Sequence, residues 1–338
     1  MLTSEPLSLL SRVADALYWI GRFLERAEHT ARLLDVHNSL ALDGVADQRD
    51  WAQLIELTRD EASYPANWPI DPEWVARFVV QYPGNPNSII ACLTVARENA
   101  RGVRGAISSE LWEQINSLYW AVRNDVDADS WAVDPHAFIQ TVKQGAHLFH
   151  GLADETMLHD EGGAFLRLGK YLERAVNTVR LVDAKHVGLD VDGAPDLLRC
   201  AALLKMCSAF EAYRRFYAAP VEPRRAIEFL LLNPSFPRSA LWATRAATQE
   251  GRRIAEQNHA GRHPERLLGG LGAQLEFASV DELLDQGLDR FLHSFRSRAW
   301  DAEKTLARSF FLRDERPRMP GRPSFAPQQQ QQQQSGRP

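Results

Sequence analysis

A chain of 338 residues, 45% hydrophobic and 25% charged, has the composition of a globular protein and the length for one large or two medium domains. Its net charge of −5 gives no bulk attraction to nucleic acid or to an anionic membrane surface. Three cysteines, Cys92, Cys200 and Cys207, without Cys-x-x-Cys spacing argue against a disulfide framework or a zinc site and suit a reducing cytoplasm.

Residues 1–15 contain Glu5 and no basic start, so no signal peptide is expected. No apolar run approaches the ~20 residues of a membrane span. The first helix shows as Val13, Leu17, Ile20, Leu24, Ala27, Ala31 and Leu34, which step by 3 or 4 along one face. Asp71-Pro72 and Asp134-Pro135 each put a capping Asp before a Pro at the first helical position. Asn85-Pro86 and then Ser88 precede a helix predicted over 89–105. Leu168, Leu172, Ala175, Val179 and Val182 make a second apolar face. Asn233-Pro234 and then Ser239 precede a helix from Ala240 to about Gln257. Gly269-Gly270-Leu271-Gly272 lacks the context of a phosphate loop and is predicted to be a turn. Ser279-Val280-Asp281-Glu282 has the form of a capping box. Strand signals are scarce, so the expected fold class is all-α, with about a dozen helices of ~11–15 residues. Residues 313–338 hold five prolines and the run Gln328 to Gln334, and are predicted to be disordered.

One segment occurs twice. Gly21-Arg22-Phe23-Leu24-Glu25-Arg26-Ala27-Glu28-His29-Thr30-Ala31-Arg32-Leu33-Leu34-Asp35 returns 148 residues later as Gly169-Lys170-Tyr171-Leu172-Glu173-Arg174-Ala175-Val176-Asn177-Thr178-Val179-Arg180-Leu181-Val182-Asp183. Asn85-Pro86 and Asn233-Pro234 keep the same offset. The domain is therefore expected to span 8–312 as two repeats, roughly 8–155 and 160–312, packed about a pseudo-two-fold axis.

The repeated segment carries charge as well as apolar period. Arg22, Glu25, His29 and Arg32 share a helical face away from the apolar stripe, and Lys170, Glu173, Asn177 and Arg180 are their counterparts. Arg26 and Arg174 flank that face. Three explanations stay open: a solvated face of weak ion pairs, buried Glu-Arg pairs fixing how the repeats dock, or a ligand or peptide site. Arg97, Arg101 and Arg104 form a second candidate, an arginine row suited to carboxylates or phosphates. Arg238, at the start of the helix from Ala240, is a candidate anion contact. His147, His150 and Asp154 share a face and Glu256 begins an E-x-x-H. Ser108 stands 148 residues before Glu256, so a ferritin-like metal site lacks its second copy and no metal is expected. No nucleophile elbow and no cofactor motif are visible.

The stretches Ser11-Arg12-Val13-Ala14-Asp15, Tyr18-Trp19-Ile20-Gly21-Arg22, Glu25-Arg26, Ala96-Arg97-Glu98-Asn99-Ala100-Arg101, Leu111-Trp112-Glu113-Gln114-Ile115-Asn116 and Pro237-Arg238-Ser239 resemble the bacterial alpha-E family, a helical family named for a Glu-Arg motif. The resemblance covers about residues 8–312. It implies an all-helical fold and association with ATP-grasp-type ligases and transglutaminase-like proteins, in a system that makes or modifies peptides. It carries over no catalytic residue. The expected function is a cytoplasmic, non-catalytic subunit that binds a peptide or docks such a ligase through the paired Glu-Arg helices. The alternative is an enzyme with Glu25 or Glu173 as general base.

Overall fold

The computed structural model describes residues 9, 11–58, 61–191, 194–257 and 263–311. The predicted disordered tail, 313–338, lies outside them. The described residues form α1 (Ser11–Leu42), α2 (Gln48–Leu57), α3 (Pro72–Val80), α4 (Ile89–Gly102), α5 (Ser109–Asp127), α6 (Pro135–Thr156) and α7 (Glu161–Lys185). They continue with α8 (Leu197–Met206), α9 (Phe210–Tyr217), α10 (Pro223–Leu232), α11 (Ala240–Gln257), α12 (His263–Glu276), α13 (Val280–Gln286) and α14 (Leu288–Phe310). A two-residue pairing of Asp190–Val191 with Ala194–Pro195 is the extended structure among the described residues. No described helix is long and apolar enough to cross a membrane.

Local chemistry sets the helix ends. Asp71 and Asp134 cap α3 and α6 through the amides of Trp74 and Ala137, each with Pro in the first turn. Ser279 and Glu282 complete the capping box of α13. Ser88 and Ser239 accept from Ala91 and Trp242 at the starts of α4 and α11. Gly44, at φ +71°, takes the left-handed conformation that lets the chain turn back at the end of α1.

Two predictions fail here. The arginine helix stops at Gly102, and Arg104 lies in the 3₁₀ turn Arg104–Ala106 rather than on a helical face. The stretch Gly269-Gly270-Leu271-Gly272 is helical, inside α12. A Cβ on Gly269 or Gly272 would meet the Thr248 or Thr244 methyl of α11 at 4.0 and 3.9 Å, ordinary contact distances, so neither position requires glycine for its packing.

The core is one apolar cluster running through both halves of the chain. The most extensive contact is between α1 and α7. Around it, α1 packs on α4 and α6, and α7 packs on α11 and α14. Likewise α4 packs on α5 and α5 on α6, while α11 packs on α12 and α12 on α14. Cys200 and Cys207 are buried in this core. Because α1 and α7 have neighbours on several sides, side chains on more than the apolar stripe of each are buried.

Candidate functional site

Gly21 and Gly169 bring the two central backbones together. A Cβ on Gly21 would lie 2.9 Å from the Lys170 amide nitrogen and closer still to the Leu166 carbonyl oxygen. A Cβ on Gly169 would lie 3.0 Å from the Tyr18 carbonyl carbon, closer to its oxygen, and 3.3 Å from the Arg22 nitrogen. Each contact is the other's counterpart at the 148-residue offset. One turn further along, the long side chains reach across. Arg26 donates to Glu173 through Nε at 2.8 Å and Nη2 at 3.1 Å. Arg174 donates to Glu25 through Nε at 2.7 Å and Nη2 at 2.8 Å. Each Glu-Arg dipeptide thus gives its carboxylate to the other's guanidinium.

The solvated-face explanation is overturned. Arg22 is 3% exposed, Glu25 1% and Glu173 0%. Apolar period assigns the remaining face to water, but here that face meets another helix carrying complementary charge. The expected docking through these helices has the same obstacle: their carboxylates and guanidiniums face each other, not a partner.

The two acids differ in their further company. Around Glu173, Arg22 also donates, and its Nη1 meets Tyr18 Oη at 2.6 Å and Glu303 at 2.9 Å. Arg26 donates to Asn87 Oδ1 at 2.6 Å and lies over the Phe23 ring. Around Glu25, Arg238 approaches at 3.4 Å and bonds Glu28 at 3.0 Å. Glu28 also binds Arg32, which donates in turn to the Ser208 hydroxyl. His147 Nε2 is 3.3 Å from Glu28, and His150 Nε2 is 3.7 Å from Glu25. Lys170 stands 4.0 Å from Asp154. His29 and Asn177, both buried, line a small cleft with Glu25, Arg174, Thr178 and Arg238. Its free room is ≈ 10 Å³, the space of about one water. Arg180 leaves the cluster and donates to the Glu56 carbonyl at 2.8 Å.

Burial alone would raise the Glu25 carboxyl, yet Arg174, Arg238 and His150 together hold it well below the ordinary carboxylate range. Burial, then Arg238 and Arg32, lowers His147 to about 4. Burial and Lys170 push His150 well below its usual value. Burial and Arg174 bring Lys170 down to about 8. Burial and Arg238 bring Arg32 down to about 9. The shifts share one cause, crowded cations in a dry place. A general base must have a proton affinity matched to the working pH and an oxygen within reach of substrate. Glu25 is held ionised with both oxygens bonded to Arg174, and both oxygens of Glu173 are bonded to arginines.

The arginine row sits at the surface instead. Arg97 is half-buried, Arg101 is 63% exposed, and both pair with Glu98. Arg97 lies over the rings of Tyr119 at 4.8 Å, Trp120 at 5.6 Å and Trp112 at 5.7 Å, while Arg104 stacks on Trp112 at 4.1 Å. This makes a cation–aromatic face along α4 and α5, with Trp120 47% exposed.

Several site residues escaped the sequence. Glu28 was readable, three positions after Glu25 and four before Arg32. Asn87 and Glu303 join only through tertiary contacts and left no local signal, while Asp154 was visible on a face with His147 and His150 but not as a neighbour of Lys170. His147 and His150 were visible as a pair, though not as neighbours of Glu28 and Glu25.

A family model described as "a predicted alpha-helical domain with a conserved ER motif" matches residues 9–311. An uncharacterized protein of Mycobacterium bovis is 25% identical over 300 residues, which covers 82% of this chain and 34% of that protein. An uncharacterized protein of Mycobacterium tuberculosis strain H37Rv is 24% identical with the same coverage. The chain therefore spans about one third of the length of the curated relatives it matches. No solved structure matches it.

Proposed function

The chain belongs to the Alpha-E family, and from that premise we propose that it is a non-catalytic helical subunit, built from two copies of one unit, that works in peptide synthesis or modification. Its partners are an ATP-grasp-type carboxylate–amine ligase and transglutaminase-like proteins, and its compartment is the cytoplasm. The three buried free cysteines fit that compartment. The reciprocal Gly, Glu and Arg contacts of α1 and α7 support the two-copy reading.

The observation that carries the subunit reading is the contrast between the two charged regions. The Glu-Arg pairs are buried and bonded to each other, which suits a rigid frame. On the α4–α5 face Arg101 and Arg104 are exposed beside aromatic rings that half-bury Arg97, which suits a partner. Arginine and tryptophan are the side chains that dominate protein contacts. The mycobacterial relatives add a second support, since the similar segment there is part of a longer polypeptide.

Calorimetry against the ligase encoded nearest its gene tests this. The triple variant Arg97→Gln, Arg101→Gln, Arg104→Gln should bind roughly ten- to a hundredfold more weakly, at about 0.5–1 kcal/mol per exposed cation. Added salt should weaken the wild-type complex in the same direction. Unchanged binding by the triple variant, or robust turnover by the isolated chain, would overturn the proposal.

A further inference from the structure

The cleft beside Glu25 is lined by Arg174 and Arg238 and lies in a charged cluster whose guanidiniums outnumber its carboxylates. Arg174 gives Nε and Nη2 to Glu25. Arg238 gives Nη1 and Nη2 to Glu25 and Glu28. Arg32 is buried, and its Nε makes no hydrogen bond. Neither ring nitrogen of the buried His150 makes one either. Two carboxylates, Glu25 and Glu28, thus face three guanidiniums, with Lys170 nearby and only loosely matched by Asp154 at 4.0 Å.

Unpaired buried donors next to excess positive charge are costly unless an anion meets them. The open room, ≈ 10 Å³ between Arg174, Arg238, Asn177 and Thr178, suits one oxygen atom. Behind that oxygen a tetrahedral phosphate carries more bulk to the mouth of the cleft than a planar carboxylate does. A carboxylate can insert one oxygen and leave the rest of its molecule outside. His147, 54% exposed and 3.3 Å from Glu28, marks where this cluster meets solvent.

We propose that this cleft, between α1, α7 and the start of α11, binds the carboxylate group of a small ligand, held by Arg174 and Arg238. The Glu25 charge does not expel it, because Arg174 already grips both Glu25 oxygens. The counterpart position at Glu173 is closed differently: Asn87, not an arginine, bonds Arg26, and Glu303 supplies a further carboxylate to Arg22. The cleft lies apart from the α4–α5 face, so either site can fail without the other.

The test is thermal unfolding and calorimetry of the full chain with sodium acetate, sodium phosphate and sodium chloride at matched ionic strength. Acetate should raise the melting temperature saturably, beyond the chloride control. Arg238→Gln should weaken acetate binding at least tenfold. If Arg238→Gln does not fold, Lys170→Met serves instead, since it removes a cation with no partner closer than 4.0 Å; binding should fall at least threefold. An acetate effect no larger than chloride's would overturn the proposal, as would binding that persists undiminished in the folded variant. Phosphate binding more tightly than acetate would overturn the assignment to a carboxylate.

Discussion

Replacing Gly21 by Ala tests the central packing by its sign. In an open helix position Ala is more favourable than Gly by about 1 kcal/mol. At Gly21 the new methyl would meet backbone, the Lys170 nitrogen at 2.9 Å and the Leu166 oxygen closer still. Backbone cannot swing aside as a side-chain end can, so α1 and α7 must part by roughly 1 Å to restore ordinary contact. Overpacking of this kind costs about 1–3 kcal/mol. Parting the helices also stretches the Arg26–Glu173 and Arg174–Glu25 bonds, each charge-assisted bond contributing about 1.5–3 kcal/mol when intact. Allowing for partial loss of those bonds and for the helical gain, Gly21→Ala should destabilise by about 2–4 kcal/mol. Gly169→Ala should do the same, because its Cβ meets the Tyr18 carbonyl in the matching way. Gly151→Ala, exposed on α6 with nothing within 4 Å of its Cβ, should stabilise by up to about 1 kcal/mol. Urea unfolding of the three variants, read as midpoint shifts at constant slope, decides it. Stabilisation by either central substitution would refute the close contact of α1 and α7.

Three further outcomes follow from the same geometry. Glu173→Gln strands Arg26, leaves Arg22 with Glu303 alone, and should cost about 3–5 kcal/mol in a urea melt, whereas Arg26→Met leaves Arg22 on Glu173 and should cost less. His37 is fully buried, bonds the Leu33 carbonyl at 2.6 Å, and is lowered to about 4 by burial and Lys185. The unfolded chain takes up its proton below about 6.5 and the folded chain only below about 4. Stability from this group is therefore complete above 6.5 and is lost as pH falls toward 4, by roughly 3 kcal/mol. Melts at pH 7, 5.5 and 4.5 should show that loss reduced in His37→Phe, and an equal loss in the variant would count against it. Lys170, lowered to about 8 by burial and Arg174, should lose its proton near pH 8, read from the NMR shift of its Cε between pH 6.5 and 9.5, and an unchanged shift across that range would count against it.

Helix starts were legible because capping is local: Asp71-Pro72, Asp134-Pro135 and Ser279-x-x-Glu282 carry the chemistry of a helix N-terminus within four residues. The Glu25-Arg26 and Glu173-Arg174 dipeptides were legible because the same charges recur at a fixed offset. Their orientation was not. A single helix seen alone has one apolar stripe and a polar remainder, and only its neighbours determine whether that remainder meets water. The glycines at 269, 270 and 272 failed for a related reason: nothing local distinguishes a glycine that ends a helix from one carried inside a helix that packs on its neighbours, as α12 does on α11 and α14. Glu303 was out of reach altogether, since its partner Arg22 lies at the other end of the chain.

The differences between the two carboxylate environments bear most directly on function. A purely structural ion pair needs only charge balance and good geometry, and the Glu173 side comes near that with Arg22, Arg26 and Glu303. The Glu25 side replaces Arg22 by Lys170 and Asn87 by Arg238, holds both His29 and Asn177 in its cleft, and adds Glu28, His147 and His150. On that side both His150 nitrogens are buried without hydrogen bonds, at a cost that packing for stability would remove, whereas the unbonded Arg32 Nε has its like in the Arg180 Nε of the other copy. Replacing such groups by apolar ones of similar shape often stabilises a fold. His150 and the added guanidinium of Arg238 on one side of the α1–α7 contact make sense where an anion from outside completes the set, and the frame of crossed Glu-Arg pairs then holds the receiving guanidiniums in place before it arrives.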